Sequence, residues 1–164
     1  MLRPTQERSQ GWGWGGVHGT PRPQLHGPVG DLGFGRCVKE MSSPNGLVAY
    51  LLAMHDTIRL YHWQTRSHAR HVATCQLLGD LLPLIDRLVE SYIGRYERPD
   101  FRGRLVMEIS ELSESSAVEQ IQAYGRWLKT DFETLVKPHD TDLLNLRDEI
   151  LGALHQTLFR FTLR

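Results

Sequence analysis

The sequence has few cysteines, no long hydrophobic run and no excess of charge, and each absence excludes a class of protein. Two cysteines in 164 residues cannot build the disulfide framework of a small secreted domain, so we expect a reducing, cytoplasmic setting. No apolar run approaches the roughly 18 residues of a membrane-spanning helix. Basic and acidic residues number 19 each, so no net positive charge is available to hold a nucleic-acid backbone.

Glycine and proline are concentrated near the N-terminus. Residues 1–36 hold more than half of the 15 glycines and half of the 8 prolines. The stretch GWGWGGVHGTPRP sustains neither helical nor strand periodicity. We therefore predict that residues 1–40 are a disordered leader, or an upstream extension from a wrongly assigned start, and that residues 41–164 form the folded domain.

The rest of the chain has the periodicity of amphipathic helices. Apolar residues recur at spacings of three and four in four segments, which predicts four helices that each bury one stripe. The first starts near Pro44, and the second runs from about Ser67 to Ile93. Ser116 with Glu119 is a candidate capping box for the third, and Asp140 or Thr141 caps the fourth. The predicted stripes are Leu47, Leu51, Met54, Ile58 and Tyr61; Leu78, Leu81, Ile85, Leu88 and Tyr92; Ala117, Ile121, Tyr124, Leu128 and Leu135; and Leu143, Leu146, Ile150, Leu154, Leu158 and Phe161.

The lengths of the connections indicate the topology. The first and second segments meet at a tight connection, as do the third and fourth. The second and third are separated by roughly twenty residues, long enough to cross a bundle. Two helical hairpins joined by one long crossover make an all-α, ferritin-like antiparallel four-helix bundle, which is the fold that we predict for residues 41–164.

Polar residues beside the buried stripes form a candidate metal site. Asp86 and Glu90 lie one helical turn apart, so their carboxylates can share an ion. His71 lies about 22 Å from Asp86 along a straight helix, too far for both to bind one ion within one chain. In an isologous dimer, His62 and His71 of one subunit face Asp86 and Glu90 of the other, and two such sites form.

Other interpretations of these residues stay open. His55 lies two helical turns before His62, so the two are candidate ligands of separate ions. His68, His71 and Cys75 share one helix face, and thiolate with imidazole suits zinc or copper. Histidines beside an apolar face are also commonly satisfied by ordinary hydrogen bonds.

Three motifs in order carry a resemblance to a known family. HWQTRSHARH, LIDRLVESYIGRYERPDFR and DLLNLRDEILGALHQTLFRFTL look like an uncharacterised ferritin-like family of viral, phage and environmental proteins, over residues 42–163. That family is more distantly similar to the Dps (DNA-protection-during-starvation) proteins, which oxidise and store iron. The Dps pattern has a His before a Trp, then a His, an Asp and a Glu, matched here by His62 before Trp63 and by His71, Asp86 and Glu90.

The resemblance implies an intersubunit, ferroxidase-like iron site built from His62, His71, Asp86 and Glu90. It also implies a homodimer or a higher homo-oligomer, in the host cytoplasm if the protein is viral. Trp63 would be an electron donor beside the site, or would pack between the first two helices. The alternative function is a metal-free helical dimer that acts as a structural or interaction module, and a zinc-binding regulator is the third. We expect no binding to nucleic acid or membrane.

Overall fold

The computed structural model describes residues 43–100, 102 and 105–163, and the predicted leader, residues 1–40, lies outside them. These described residues are all-α, with four α-helices and no strand, which confirms the all-α part of the predicted fold. None of the described helices is both long and apolar enough to cross a membrane. The elements are α1 (Pro44–Gln64), α2 (His68–Arg95), α3 (Glu114–Thr130), a 3-10 helix (Phe132–Leu135) and α4 (Thr141–Arg160).

Hydroxyl caps start the first two helices. The side chain of Ser43 accepts a hydrogen bond from the Gly46 backbone N–H at 3.0 Å, and Pro44 suits the first turn because its missing N–H has no partner there anyway. The Ser67 side chain accepts from the Arg70 N–H at 3.4 Å and caps α2. Because α1 ends at Gln64 and α2 begins at His68, the connection between them is short, as predicted, and the two helices are neighbours.

The start of α3 differs from the prediction. The helix is capped by Ser113 rather than by Ser116 with Glu119. The Ser113 hydroxyl accepts from the Ser116 N–H at 3.1 Å, and the Ser116 hydroxyl accepts from the Ser113 N–H at 2.8 Å. Two serines at the capping-box spacing satisfy both backbone donors, so the helix begins earlier than expected. It ends at Thr130, and Leu135 lies in the 3-10 helix instead.

Most residues of the predicted stripes form the core, but Leu135 and Leu158 are only half-buried, and the stripe of α2 is shifted in register. In α2 the buried side chains include Ala73, Leu77, Leu81 and Ile85, whereas Leu78 is only half-buried. Leu77 continues the i, i+4 spacing of its buried neighbours more closely than Leu78 does, which explains the correction. Helix α2 packs against both α1 and α4, and α4 also packs against α3.

Asp140 occupies the predicted capping position of α4 without capping it. Its carboxylate makes no hydrogen bond to the first turn of the helix. It accepts hydrogen bonds from the Tyr96 hydroxyl and, at 2.9 Å, from the Lys137 N–H, and it pairs with Arg95 at 3.1 Å. The side chain is buried and ties the end of α2 to the start of α4.

The segment between α2 and α3 contacts α1 at two levels. Near its start, the Asn45 side-chain amide donates to the Asp100 carbonyl oxygen at 2.6 Å. Near its end, the Ser110 N–H donates to the Thr57 hydroxyl at 3.4 Å. Asn45 lies in the first turn of α1 and Thr57 lies in its second half, so the segment follows α1 in the direction of the chain.

Candidate metal centre

The bend between α1 and α2 brings His62 and His71 together. His62 lies in the last turn of α1, and His71 lies in the first turn of α2. Because the connection is short, the two imidazoles stack, with ring centroids 4.0 Å apart and planes inclined by 22°. The structure therefore unites the two histidines of the predicted site, although nine residues separate them in sequence.

The hydrogen bonds of the pair determine which ring nitrogen carries the proton. Nδ1 of His71 donates to the His62 carbonyl oxygen at 3.0 Å. Nδ1 of His62 donates to the His71 carbonyl oxygen at 3.2 Å and to the Thr74 hydroxyl oxygen at 3.0 Å. That hydroxyl gives its own proton to the Arg70 carbonyl oxygen at 2.8 Å, so its oxygen is an acceptor for the ring.

Each Nε2 thus keeps a lone pair, and no described residue hydrogen-bonds to it. A protonated Nδ1 held by a backbone carbonyl is the usual arrangement of a histidine that binds a metal through Nε2, because the second bond fixes the orientation and the tautomer of the ring. The pair consequently has the chemistry of two oriented nitrogen ligands.

The environment of His62 favours the neutral ring. Partial burial lowers the pKa of His62 below its ordinary value of 6.5, and the neighbouring His71 lowers it further. The hydrogen bond with the His71 backbone acts in the opposite direction, but the net shift is downward. A neutral imidazole is the form that binds a metal ion, so this shift extends ligand competence to lower pH.

Glu114 and Arg70 form a charged cluster at the same bend between α1 and α2. The carboxylate of Glu114, the first residue of α3, accepts from Thr65 at 2.6 Å and from Tyr61 at 2.8 Å, and pairs with Arg70 at 3.0 Å. Burial raises the pKa of Glu114, but the hydrogen bonds from Thr65 and Tyr61 and the charge of Arg70 outweigh it and leave the pKa lowered. The Arg70 guanidinium also lies 4.9 Å from the ring centroid of Phe161, the residue that follows α4.

The two predicted carboxylate ligands lie elsewhere on α2. Asp86 and Glu90 are exposed, one turn apart, and neither forms an ion pair with a described residue. Across residues 43–100, 102 and 105–163, no three His, Cys, Asp or Glu side chains converge as metal ligands. One chain therefore does not join the carboxylates to the histidine pair, and it does not gather His68, His71 and Cys75 into a zinc site either.

The structure contradicts two other predictions for this region, that His55 is a metal ligand and that Trp63 packs between the helices. His55 is buried, with Nδ1 3.0 Å from Asp56 and Nε2 accepting from Arg59 at 3.1 Å, so both ring nitrogens have protein partners and neither is open to a metal. Trp63 is 69% exposed, and the prediction that it packs between α1 and α2 is wrong. Tyr61 lies in the buried stripe of α1. Trp63 is two residues further along the helix, so its side chain points away from that stripe.

Thr74 is the member of the site that the sequence analysis missed. It is fully buried, and its hydroxyl links His62 to the first turn of α2. The signal in the sequence that pointed to Thr74 was its position three residues after His71, about one turn along the same helix. A buried threonine at such a position also fits ordinary packing, and only the bend between the helices makes it a partner of His62.

Comparison with known proteins places the chain in a family. A model of a family of unknown function (DUF5856) matches residues 62–161, more than half of the chain. The chain belongs to the DUF5856 family. All four predicted metal ligands lie within the part that the DUF5856 model covers. A search of curated proteins and a search of solved structures found no match.

Proposed function

We propose that the chain is a ferritin-like protein that binds and oxidises Fe(II) at a site shared by two copies. His62 and His71 of one copy supply the nitrogen ligands, and Asp86 and Glu90 of the other supply the oxygen ligands. The observation that carries the proposal is the pair of hydrogen bonds that hold both Nδ1 atoms and leave both Nε2 atoms open. Metal-binding histidines are oriented by bonds of this kind.

The ferritin-like topology is part of the proposal. The segment between α2 and α3 contacts α1 first at Asn45 and then at Thr57, and α3 begins beside Thr65 at the end of α1. These contacts support a crossover that runs the length of α1, as expected for two hairpins joined in a ferritin-like bundle. Such a bundle leaves the outer face of α2 open to a second copy.

Helical geometry supports a two-fold contact centred on Gly79. At 1.5 Å per residue, His71 lies about 12 Å before Gly79, while Asp86 and Glu90 lie about 10 and 16 Å after it. If two α2 helices pack antiparallel about Gly79, His71 of one copy is level with the interval between Asp86 and Glu90 of the other. The stacked ring of His62 is then at the same level.

The face of α2 around Gly79 is suited to such packing. A Cβ atom added at Gly79 would meet no atom within 4 Å, so the backbone there is open to a close neighbour. Val72 and Leu82, on the same side of the helix, are large apolar residues that remain exposed in one chain. A shallow groove of about 470 Å³ flanks Gly79, and Pro83 and Gly152 are among its lining residues.

The proposed donor set fits iron. Two neutral imidazoles and two carboxylates suit Fe(II), and the negative charge of the carboxylates stabilises the Fe(III) product. Each Fe(II) gives one electron to dioxygen or to peroxide supplied from solution. The chain's own contribution is to hold both imidazoles through Nδ1 and to favour the neutral ring of His62. Asp86 and Glu90 also form no competing ion pair with a described residue. Zinc, which also accepts this donor set, is the competing ion.

Elemental analysis of the purified full chain after anaerobic loading with Fe(II) tests the proposal. We compare the parent protein with His62→Ala, Glu90→Ala and the matched control His68→Ala, whose ring is exposed on the same helix as His71. We expect iron in the parent and in His68→Ala, and a loss of at least about tenfold in affinity in the other two. Iron oxidation is followed by absorbance after dioxygen or peroxide is added.

The outcomes separate the rival functions. A parent protein that binds no metal contradicts the proposal and leaves the metal-free structural or interaction module. Zinc that is lost only on changing Cys75 supports the regulator instead. Iron that survives Glu90→Ala but not His62→Ala contradicts the shared site, because the carboxylates would then play no part.

A further inference from the structure

We infer that the C-terminal end of one copy docks on the segment between α2 and α3 of another copy. The two surfaces are called here the C-terminal patch (Phe159, Arg160 and Leu163) and the connecting patch (Val106, Glu108, Ile109 and Glu111). Neither belongs to the candidate metal centre or to α2. The contact is therefore additional to the two-fold pairing proposed above and does not depend on it.

The connecting patch is an exposed apolar surface with negative charge. Val106 is 67% exposed and Ile109 is 47% exposed, although both are side chains that proteins normally cover. Residues 105–110 belong to no helix or strand. Glu108 and Glu111 lie beside these apolar side chains and form no ion pair with a described residue.

The C-terminal patch has the same apolar character with the opposite charge. Phe159 is 64% exposed and Leu163 is 52% exposed. Arg160 lies between them, and its guanidinium contacts the Gln156 side-chain oxygen at 3.4 Å rather than a carboxylate of a described residue. Arg160 is half-buried, and its positive charge lies between two exposed apolar residues without a carboxylate partner among the described residues.

The two patches complement each other and are formed by different residues of one chain. The C-terminal patch is next to Phe161, whose ring contacts Tyr61 near the end of α1 at a centroid distance of 6.0 Å. The connecting patch is next to Ser110, which contacts Thr57, an earlier residue of α1. Two different patches that join head to tail form a heterologous contact, which extends a dimer into a larger ring, shell or filament.

Charge complementarity identifies the occupant as a second copy. In the docked pair, the two carboxylates of the connecting patch, which form no ion pair with a described residue, would meet the guanidinium of Arg160, which has no carboxylate partner among the described residues. Both surfaces would bring apolar side chains to the same contact. Two connecting patches pairing with each other would instead place like charges side by side, which costs free energy.

A charge swap in the full chain tests this contact. We compare the parent protein with Glu108→Arg plus Glu111→Arg, with Arg160→Glu, and with all three changes together, by sedimentation velocity over a range of concentrations. Each reversal alone is expected to raise the dissociation constant of the largest species by at least about tenfold. The triple change is expected to restore the parent value. Glu119→Arg and Arg126→Glu, exposed on α3, are the matched controls and are expected to have little effect.

Circular dichroism shows that each variant is folded, and iron content is measured on the same samples. Unchanged iron content with reduced mass supports the docking and leaves the metal site intact. The inference is overturned if the parent sediments only as a dimer or smaller. It is also overturned if Arg160→Glu has no effect while the glutamate reversals do, because another partner would then occupy the connecting patch, or if the triple change fails to restore the assembly.

Discussion

Thr74 fixes the orientation of His62 from within the core. Its Oγ1 atom lies 3.0 Å from Nδ1 of His62 and 2.8 Å from the Arg70 carbonyl oxygen. Because the hydroxyl proton goes to Arg70, the oxygen is left to accept the imidazole proton. The buried threonine and the His71 carbonyl oxygen thereby both accept the proton of Nδ1, and Nε2 of His62 carries the lone pair.

Thr74→Val should weaken metal binding without unfolding the domain. Valine has nearly the shape of threonine but cannot accept the Nδ1 proton of His62. The His71 carbonyl oxygen, at 3.2 Å, remains as a second acceptor, so we expect a loss of affinity of about tenfold, the lower end for a residue that orients a metal ligand. An anaerobic Fe(II) titration measures it.

Thr157→Val is the matched control. Thr157 is equally buried, and its hydroxyl donates to the Ala153 carbonyl oxygen at 2.9 Å within α4, away from the histidines. We expect this change to leave iron affinity unaltered. Equal losses in the two variants would mean that a buried hydroxyl supports the fold in general and has no specific effect on His62.

Mild acid should destabilise the domain through His62. Its pKa is lowered in the folded chain, so the unfolded chain binds the proton more tightly. The contribution of His62 to stability is therefore complete above its ordinary pKa of 6.5 and is lost as the pH falls from there through the folded pKa. Urea unfolding at pH 7.5 and 5.5 measures the difference, and His62→Gln should show a smaller difference. An identical pH dependence in that variant would show that other groups are responsible.

The helices were predictable because their signal is local. Leu47, Leu51, Met54 and Ile58 recur with the helical period, and the structure buries all four. The start of α3 was harder to predict because several serines offer alternative caps. The choice of Ser113 depends on a reciprocal bond with Ser116 that spacing alone does not reveal.

The histidine pair was predictable in its residues but not in its geometry. His62 and His71 were candidates by type and order, whereas their stacking depends on the bend between two helices. The role of Asp140 was missed for a similar reason. Position indicated a helix cap, but its partner Tyr96 lies 44 residues away, and no local pattern predicts a hydrogen bond of that range.

Asp140→Asn should destabilise the domain, and acid should do the same to the parent. The hydrogen bond from Tyr96 lowers the pKa of Asp140, as do the Lys137 N–H and the charge of Arg95. The contribution of the carboxylate is present above its ordinary pKa of 3.8 and is lost as the pH falls through the folded pKa. Asparagine removes the charge at every pH.

Thermal unfolding at pH 7 and at pH 3.5 tests this prediction. Asp140→Asn should melt at a lower temperature than the parent at pH 7, and the difference should shrink at pH 3.5. Asp142→Asn is the control, since Asp142 is exposed and pairs with Arg95 alone. A deficit in Asp140→Asn that is independent of pH would indicate that the shape of the side chain matters and its charge does not.

Gly79→Phe should separate pairing of the chains from folding. A Cβ atom at this exposed position meets no atom within 4 Å in one chain, and phenylalanine has a higher helix propensity than glycine, so the single chain should remain folded. In a two-fold contact centred on Gly79, however, the ring would hold the two α2 helices apart. We expect the dissociation constant of the dimer to increase at least about tenfold. Iron affinity should fall with it, because Asp86 and Glu90 no longer reach the partner's histidines.

Gly94→Phe, equally open and near the end of the same helix, is the control and should leave both properties unchanged. If Gly79→Phe binds iron as the parent does while sedimenting as a monomer, the histidines act without a second chain and the shared site is wrong.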